Sequence, residues 1–152
     1  MLPQFMRFIV VNNAVSTLTY NANGRMNLKI TAWYITPSTG KIAYANLGDD
    51  DLSFIAASTL AAGAEVKSDE INNTSTLYLG LQVQLEVTHD EGTAATGTFD
   101  IYLDGGDATG ELASDATGYD TVELAKLQYI GNLTWQASGA DDEVMRSAVI
   151  NI

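Results

Sequence analysis

Cysteine is absent from this sequence, and histidine and proline are scarce, at one and two residues. Without cysteine the chain has no disulfides, no thiolate nucleophile and no cysteine-ligated zinc site. The absence of cysteine does not determine the cellular compartment, because a secreted domain of this size can fold without disulfides. Two prolines against 13 glycines favour strands joined by glycine-bearing turns over proline-rich linkers.

Basic side chains are also few. The sequence has seven lysines and arginines and 19 aspartates and glutamates, which gives a net charge of −12. Such a field repels phosphate backbones and anionic lipid surfaces, so we expect neither nucleic acid nor membrane as a partner. The acidity is compatible with simple solubility, with cation binding or with docking on a basic partner.

The sequence has no long hydrophobic run. The apolar stretch at residues 1–11 ends at Asn12 and Asn13, too short to span a bilayer. Its only basic residue, Arg7, lies inside the stretch, and no small-residue cleavage site follows. This pattern predicts no signal peptide and therefore a protein made in a cytoplasm.

Alternation with a period of two dominates the chain. It is clearest at residues 76–88, where polar residues separate six aliphatic ones. On a strand these six side chains share one face, whereas on a helix they would surround the cylinder. The pattern predicts a central strand whose core face carries Leu77, Leu79, Leu81, Val83, Leu85 and Val87.

Weaker alternation or apolar runs predict further strands, and the first two read as a hairpin. About eight strands without regular helices between them predict one domain over residues 1–152, an antiparallel β-sandwich with the jelly roll as a candidate topology. At most one short helix fits, at residues 50–65, and no internal repeat is evident. The remaining strand segments are residues 5–11, 15–20, 27–36, 41–46, 97–103, 124–137 and 144–152. In residues 124–137 one parity carries Leu127, Tyr129, Leu133 and Trp135, which predicts the core face of that strand.

An acidic, glycine-bearing loop at residues 104–120 is the candidate cation site. Asp104, Asp107 and Glu111 carry carboxylates that calcium prefers as ligands. Their spacing does not match the EF-hand, which needs acids at alternate positions around a fixed glycine. The alternative is a solvated acidic loop without an ion, and no other cofactor is expected.

The sequence contains no recognisable catalytic motif. His89, the only histidine, lies at the predicted turn after the central strand, and no nucleophile elbow accompanies it. A glycosidase needs a pair of carboxylates, but among 19 acidic residues such pairs arise by chance and do not indicate this activity. We therefore expect a protein that is not an enzyme.

Candidate interface residues come from two features. The first and last strands are apolar up to the chain ends, and terminal strands often form sheet edges that pair with another chain. Aromatic residues opposite the aliphatic face of their strands can anchor an interface, or stack on a sugar. The resulting candidates are Phe5, Phe8, Trp33, Tyr78, Val149 and Ile152.

Three segments of the last third, residues 97–106, 127–135 and 143–152, resemble small virion proteins of tailed bacteriophages. Those proteins are acidic, cysteine-free β-sandwich or jelly-roll domains. The resemblance implies a capsid decoration (cement) protein or a tail accessory protein, located in the virion, homo-oligomeric and bound to partners such as the major capsid protein. It transfers no functional residue. The alternative is a lectin-like carbohydrate-binding β-sandwich that uses Trp33 or the acidic loop, with or without calcium.

Overall fold

A computed structural model describes residues 2–14, 17–19, 26–47, 59–88, 96–106, 127–136 and 144–152. Every regular element in these residues is a β-strand, and no helix occurs among them. The strands are β1 (Phe5–Asn12), β2 (Leu18–Thr19), β3 (Asn27–Ile35), β4 (Ile42–Asn46), β5 (Thr59–Leu60), β6 (Glu65–Lys67), β7 (Ile71–Asn72), β8 (Gly80–Thr88), β9 (Gly97–Gly106), β10 (Gln128–Trp135), β11 (Val144–Arg146) and β12 (Ile150–Asn151).

The strands form two antiparallel five-stranded sheets packed face to face, so the predicted antiparallel β-sandwich is confirmed. The first sheet has the order β10-β9-β1-β6, with β7 also on β1. The second has the order β11-β8-β3-β4, with β12 also on β8. One hydrophobic core lies between the sheets and takes side chains from β1, β3, β8, β9 and β10. A separate pair joins β2 to β5.

The central strand β8 follows the predicted alternation over most of its length. Its core face is buried as expected, but the strand begins at Gly80, so the prediction is wrong for Leu77 and Leu79. Leu77 has a positive φ of 54° and is 61% exposed. The chain turns there, and a residue in a turn does not take the side-chain direction of the strand that follows. The confirmed core residues are Leu81, Val83, Leu85 and Val87.

The first strand lies inside its sheet, which corrects two predictions. β1 pairs with β9 on one side and with β6 and β7 on the other, so it is neither an edge nor half of a hairpin with β2. Phe8 points into the core between the sheets, while Phe5 and Ile9 on the opposite face are buried as well. A near-continuous apolar run is typical of a strand covered on both faces.

A six-residue motif recurs in the edge strands, which corrects the expectation that the sequence holds no internal repeat. Residues 67–72 and 146–151 both read basic-Ser-x-x-Ile-Asn. The first six residues pair along residues 5–9 of β1, and the second six along residues 82–86 of β8. Each edge therefore carries one residue more than its partner strand, which is the definition of a β-bulge.

The serine of each repeat completes the hydrogen bonding that the bulge interrupts. The Phe8 N–H donates to the Ser68 hydroxyl at 3.0 Å, and the Leu85 N–H donates to the Ser147 hydroxyl at 3.0 Å. Each serine N–H in turn donates to the carbonyl of the same partner residue at 2.9 Å. Each hydroxyl also donates to the carbonyl of the following residue at 2.8 Å. Both serines are buried, so these central-strand N–H groups depend on them.

Replacing either serine by alanine should destabilise the domain. Ser68→Ala or Ser147→Ala leaves a buried N–H without its acceptor, which costs about 1–3 kcal/mol of unfolding free energy. Urea unfolding measures the loss, and Ser38→Ala at an exposed turn position is the control, expected to change stability by less than about 0.5 kcal/mol. Equal stability of all three variants would contradict the role given to the hydroxyls.

A third bulge changes the face on which a predicted core residue lies. The pairing of β10 with β9 shifts between Tyr129 and Gly131. Leu133 and Trp135 are buried as predicted, and Trp135 meets Phe99 edge to face with ring centroids 5.5 Å apart. Tyr129, expected on the same face, is instead 51% exposed, because one extra residue reverses the alternation.

Candidate functional site

The outer face of the second sheet carries exposed apolar side chains where β3 meets β4. Core residues of β3 point inwards, so the alternate residues Trp33 and Ile35 point outwards. Their cross-strand partners are Tyr44 and Ile42. Ile35, Ile42 and Tyr44 are 49%, 62% and 70% exposed, unusual values for large apolar side chains grouped on one face.

A groove of about 280 Å³ opens on this face beside Trp33. We call it the Trp33 groove, and no charged side chain lines it. Trp33, Ile42 and Tyr44 supply its aromatic and apolar wall. Thr31, Gln82 and Asn151 supply hydroxyl and amide groups.

Gly80 fixes the position of the indole in the groove. A Cβ atom placed on Gly80 would clash with Nε1 of Trp33 and would lie 2.9 Å from the backbone oxygen of Ile152. The indole therefore crosses β8 where that strand has no side chain. Glycine is needed here because the ring and a neighbouring backbone both approach β8 closely.

A charged cluster occupies the other end of the same face. Oε2 of Glu86 on β8 accepts from Nζ of Lys29 at 2.9 Å and from Nε of Arg146 at 2.6 Å, which links β3, β8 and β11. Burial raises the pKa of the Glu86 carboxyl, but the hydrogen bonds and positive charges of Lys29 and Arg146 outweigh it and lower that pKa below its ordinary value.

The Glu86 cluster should stabilise the domain at neutral pH and lose its effect in acid. A carboxyl with a lowered folded-state pKa contributes fully above its unfolded value, about 4.5, and loses the contribution as pH falls through the folded pKa. Glu86→Gln is expected to cost about 0.5–1 kcal/mol at pH 7, since both cations are well exposed. The difference from the unsubstituted protein should shrink below pH 4.5 in urea titrations.

Asp69→Asn, at an exposed position outside the cluster, is the control for this comparison. Its effect on the free energy of unfolding at pH 7 should be small. A Glu86→Gln difference that stays constant down to pH 2 would contradict the linkage.

The edge at β4 differs from the other sheet edges in the described residues. The edges formed by β6 with β7, by β10 and by β11 with β12 are each interrupted by a bulge. The pairing of β4 with β3 runs without a shift through five residue pairs. β4 contains no charged residue and no proline, the features that commonly protect an exposed edge.

The hydrogen-bond alternation of β4 determines which backbone groups face the free side. At its two ends, the Thr36 N–H donates to the Lys41 carbonyl and the Leu47 N–H donates to the Ile30 carbonyl, both at 2.8 Å. Along two antiparallel strands, residue pairs alternate between pairs that exchange backbone hydrogen bonds and pairs that do not. The backbone N–H and C=O groups of Ile42 and Tyr44 therefore point away from β3, and no described strand pairs with β4 on that side.

The predicted interface residues do not form one surface. Phe5 and Phe8 are 8% and 0% exposed within the chain's own fold, so the expectation that they contact a partner is wrong. The reason is the interior position of β1, which the pairing of distant strands determines.

The other predicted interface residues are distributed over two regions. Trp33 and Ile152 line the Trp33 groove, and Val149, 53% exposed, lines a neighbouring depression on the same face. Tyr78 lies elsewhere, half-buried, with its ring 6.0 Å from that of Tyr34 in an edge-to-face contact. Ile42 and Tyr44, which the sequence did not single out as interface residues, join Trp33 through the register of β4.

The predicted cation site falls mostly outside the described residues. Asp107 and Glu111 lie there, while Asp104 is buried and directly opposite Arg7 of β1. Arg7, directly across the strand pair, explains an acidic residue at this buried position without a bound cation. His89, which was not part of that site, also lies outside the described residues. Among the described residues no group of three or more acidic, histidine or cysteine side chains is placed to hold a metal. Calcium binding by Asp104, Asp107 and Glu111 remains a prediction.

Comparison with protein-family models, curated proteins and solved structures finds no match to this chain. In the part of the chain that the structure describes, no helix has the length and apolar character needed to cross a bilayer. The β4 edge and the Trp33 groove are the places where the outer face of the second sheet exposes large apolar side chains together.

Proposed function

We propose that this chain is a structural protein of a tailed-phage virion, a capsid decoration (cement) protein that acts through protein–protein contacts. The observation that carries the proposal is the β4 edge, regular in register and uncharged where the other edges of the described sheets are bulged. A protein that remains monomeric is expected to protect such an edge. The resemblance of residues 97–106, 127–135 and 143–152 to small phage virion proteins points to the same class.

Edge pairing explains how copies of the chain would associate. Backbone groups of Ile42 and Tyr44 face the free side of β4 and are available to a second β4 in antiparallel register. Such a contact is self-complementary about a two-fold axis and joins two five-stranded sheets. It would also cover part of the exposed Ile42 and Tyr44 side chains. The net charge of −12 opposes unspecific clustering, so the association depends on this local apolar edge.

Within a particle, the oligomer would span neighbouring capsid subunits and bury additional surface at their junctions. The major capsid protein is the expected partner. A rigid sandwich suits this role, because its contacts are held in place by a single core between two sheets.

Lysine on the edge strand should prevent association. Ile42→Lys and Tyr44→Lys each place a charge on β4 and should weaken self-association at least tenfold, about 1.4 kcal/mol or more. Native mass spectrometry and sedimentation velocity over a concentration series measure the oligomer. Ser75→Lys, at an exposed turn position outside β4, is the matched control. A wild-type protein that stays monomeric throughout, or variants that associate as the control does, would contradict edge pairing.

The virion location has its own test. Quantitative mass spectrometry of purified particles of a phage that encodes this chain should detect it at a copy number of the same order as the major capsid protein. A few copies per particle would assign it to the tail instead, and immunogold labelling would locate it. Its absence from purified particles would refute the virion proposal.

A further inference from the structure

The Trp33 groove combines aromatic and amide groups without a charged side chain, in a protein with a net charge of −12. Without a basic side chain in its lining, the groove does not suit a phosphate or a carboxylate as its ligand. Pockets for small molecules typically pair an apolar wall with a few polar groups that fix orientation. The groove has this composition, and its volume of about 280 Å³ lies just below the usual range of about 300–1,000 Å³, which suits a ligand of one ring.

The aromatic wall is supplied by Trp33 and Tyr44, directly opposite each other on β3 and β4. Trp33 is held in place where it crosses Gly80, whereas Tyr44 is 70% exposed. Aromatic rings with one apolar body and one polar tip suit ligands that have both apolar and hydroxylated surfaces. The C–H face of a pyranose ring, edged by hydroxyls, is such a ligand.

The polar wall is supplied by Gln82, which lies in register with Thr31 on one side and Asn151 on the other. Each amide offers two donor hydrogens and an acceptor oxygen. Within the described part of the chain, no hydrogen bond engages the side chain of Gln82 or Asn151. Gln84, two residues further along β8, differs in this respect, because its amide donates to the Ser147 carbonyl at 3.0 Å.

We infer that the Trp33 groove binds a single neutral hexopyranose unit, stacked on Trp33 and Tyr44 and hydrogen-bonded through its hydroxyls to Gln82 and Asn151. Each sugar hydroxyl both donates and accepts, which matches amides better than it matches carboxylates or ammonium groups. The site shares Tyr44 with the edge used in the proposed virion function, but its two amides lie on the outer sheet face and take no part in edge pairing through the backbone of β4.

The probes are the methyl glycosides of glucose, galactose, mannose and N-acetylglucosamine, tested by saturation-transfer NMR and by fluorescence. The protein has two tryptophans, and Trp135 is fully buried, so acrylamide should quench mainly Trp33. A bound sugar should protect Trp33 from the quencher and leave Trp135 unchanged. The same titration gives the dissociation constant.

Gln82→Ala should raise the Kd of the bound glycoside about tenfold, the effect of losing one or two net hydrogen bonds. Gln84→Ala, the same change on the same strand outside the groove, should leave the Kd unchanged and is the matched control. Trp33→Phe should remove the quenchable emission and weaken binding in the NMR experiment. Urea unfolding of each variant establishes that the domain is folded when binding is measured.

Two results would overturn the sugar site. One is that none of the four glycosides gives saturation transfer or protects Trp33. The other is that Gln82→Ala binds as tightly as Gln84→Ala. The oligomeric state of Gln82→Ala should match that of the unsubstituted protein, so loss of sugar binding and loss of assembly are distinguishable in the same set of variants.

Discussion

The structure depends on completing the backbone hydrogen bonds of two buried strands, β1 and β8. Each lies inside its sheet, so every N–H and C=O group along it needs a partner in the protein. Strand pairing supplies most of them, but each has a neighbouring edge with one residue too many. The hydroxyls of Ser68 and Ser147 accept the N–H groups that the bulges leave without a carbonyl. The serine-containing edge of each sheet can therefore be interrupted without leaving a buried N–H group unpaired.

Interrupted edges have a second consequence, since a bulge twists a strand and makes it a poor template for another chain. Bulges interrupt β10 and the two serine-containing edges, and β4 is left as the regular edge of the described sheets. The position where the fold leaves an edge unprotected is also where it exposes Ile42 and Tyr44. An assembly contact at β4 would thus be specific, because the remaining edges discourage pairing.

The period-two alternation predicted most strands and most of the core of β8, because burying one sheet face requires apolar residues at every second position. It was wrong at Tyr129, where a bulge adds a residue and reverses the faces, and at Leu77, where the chain still turns before β8 begins. Local alternation records neither the bulge nor the start of the strand. The motif shared by residues 67–72 and 146–151 was present in the sequence, yet its meaning depends on the facing strand. The burial of Phe8 likewise followed from strand order, which local sequence does not specify.

The sequence by itself determined the class of fold, the absence of thiol chemistry and the acidic charge, because these follow from composition and from the period of the apolar residues. The tertiary structure decided which outward side chains meet. Trp33 faces Tyr44 through the register of a hairpin, but Gln82 meets Asn151 only because the last strand returns to β8 from 69 positions further along the chain. Long-range strand pairing sets such contacts through the sum of many core interactions, so the groove and the unprotected edge emerged only with the folded chain.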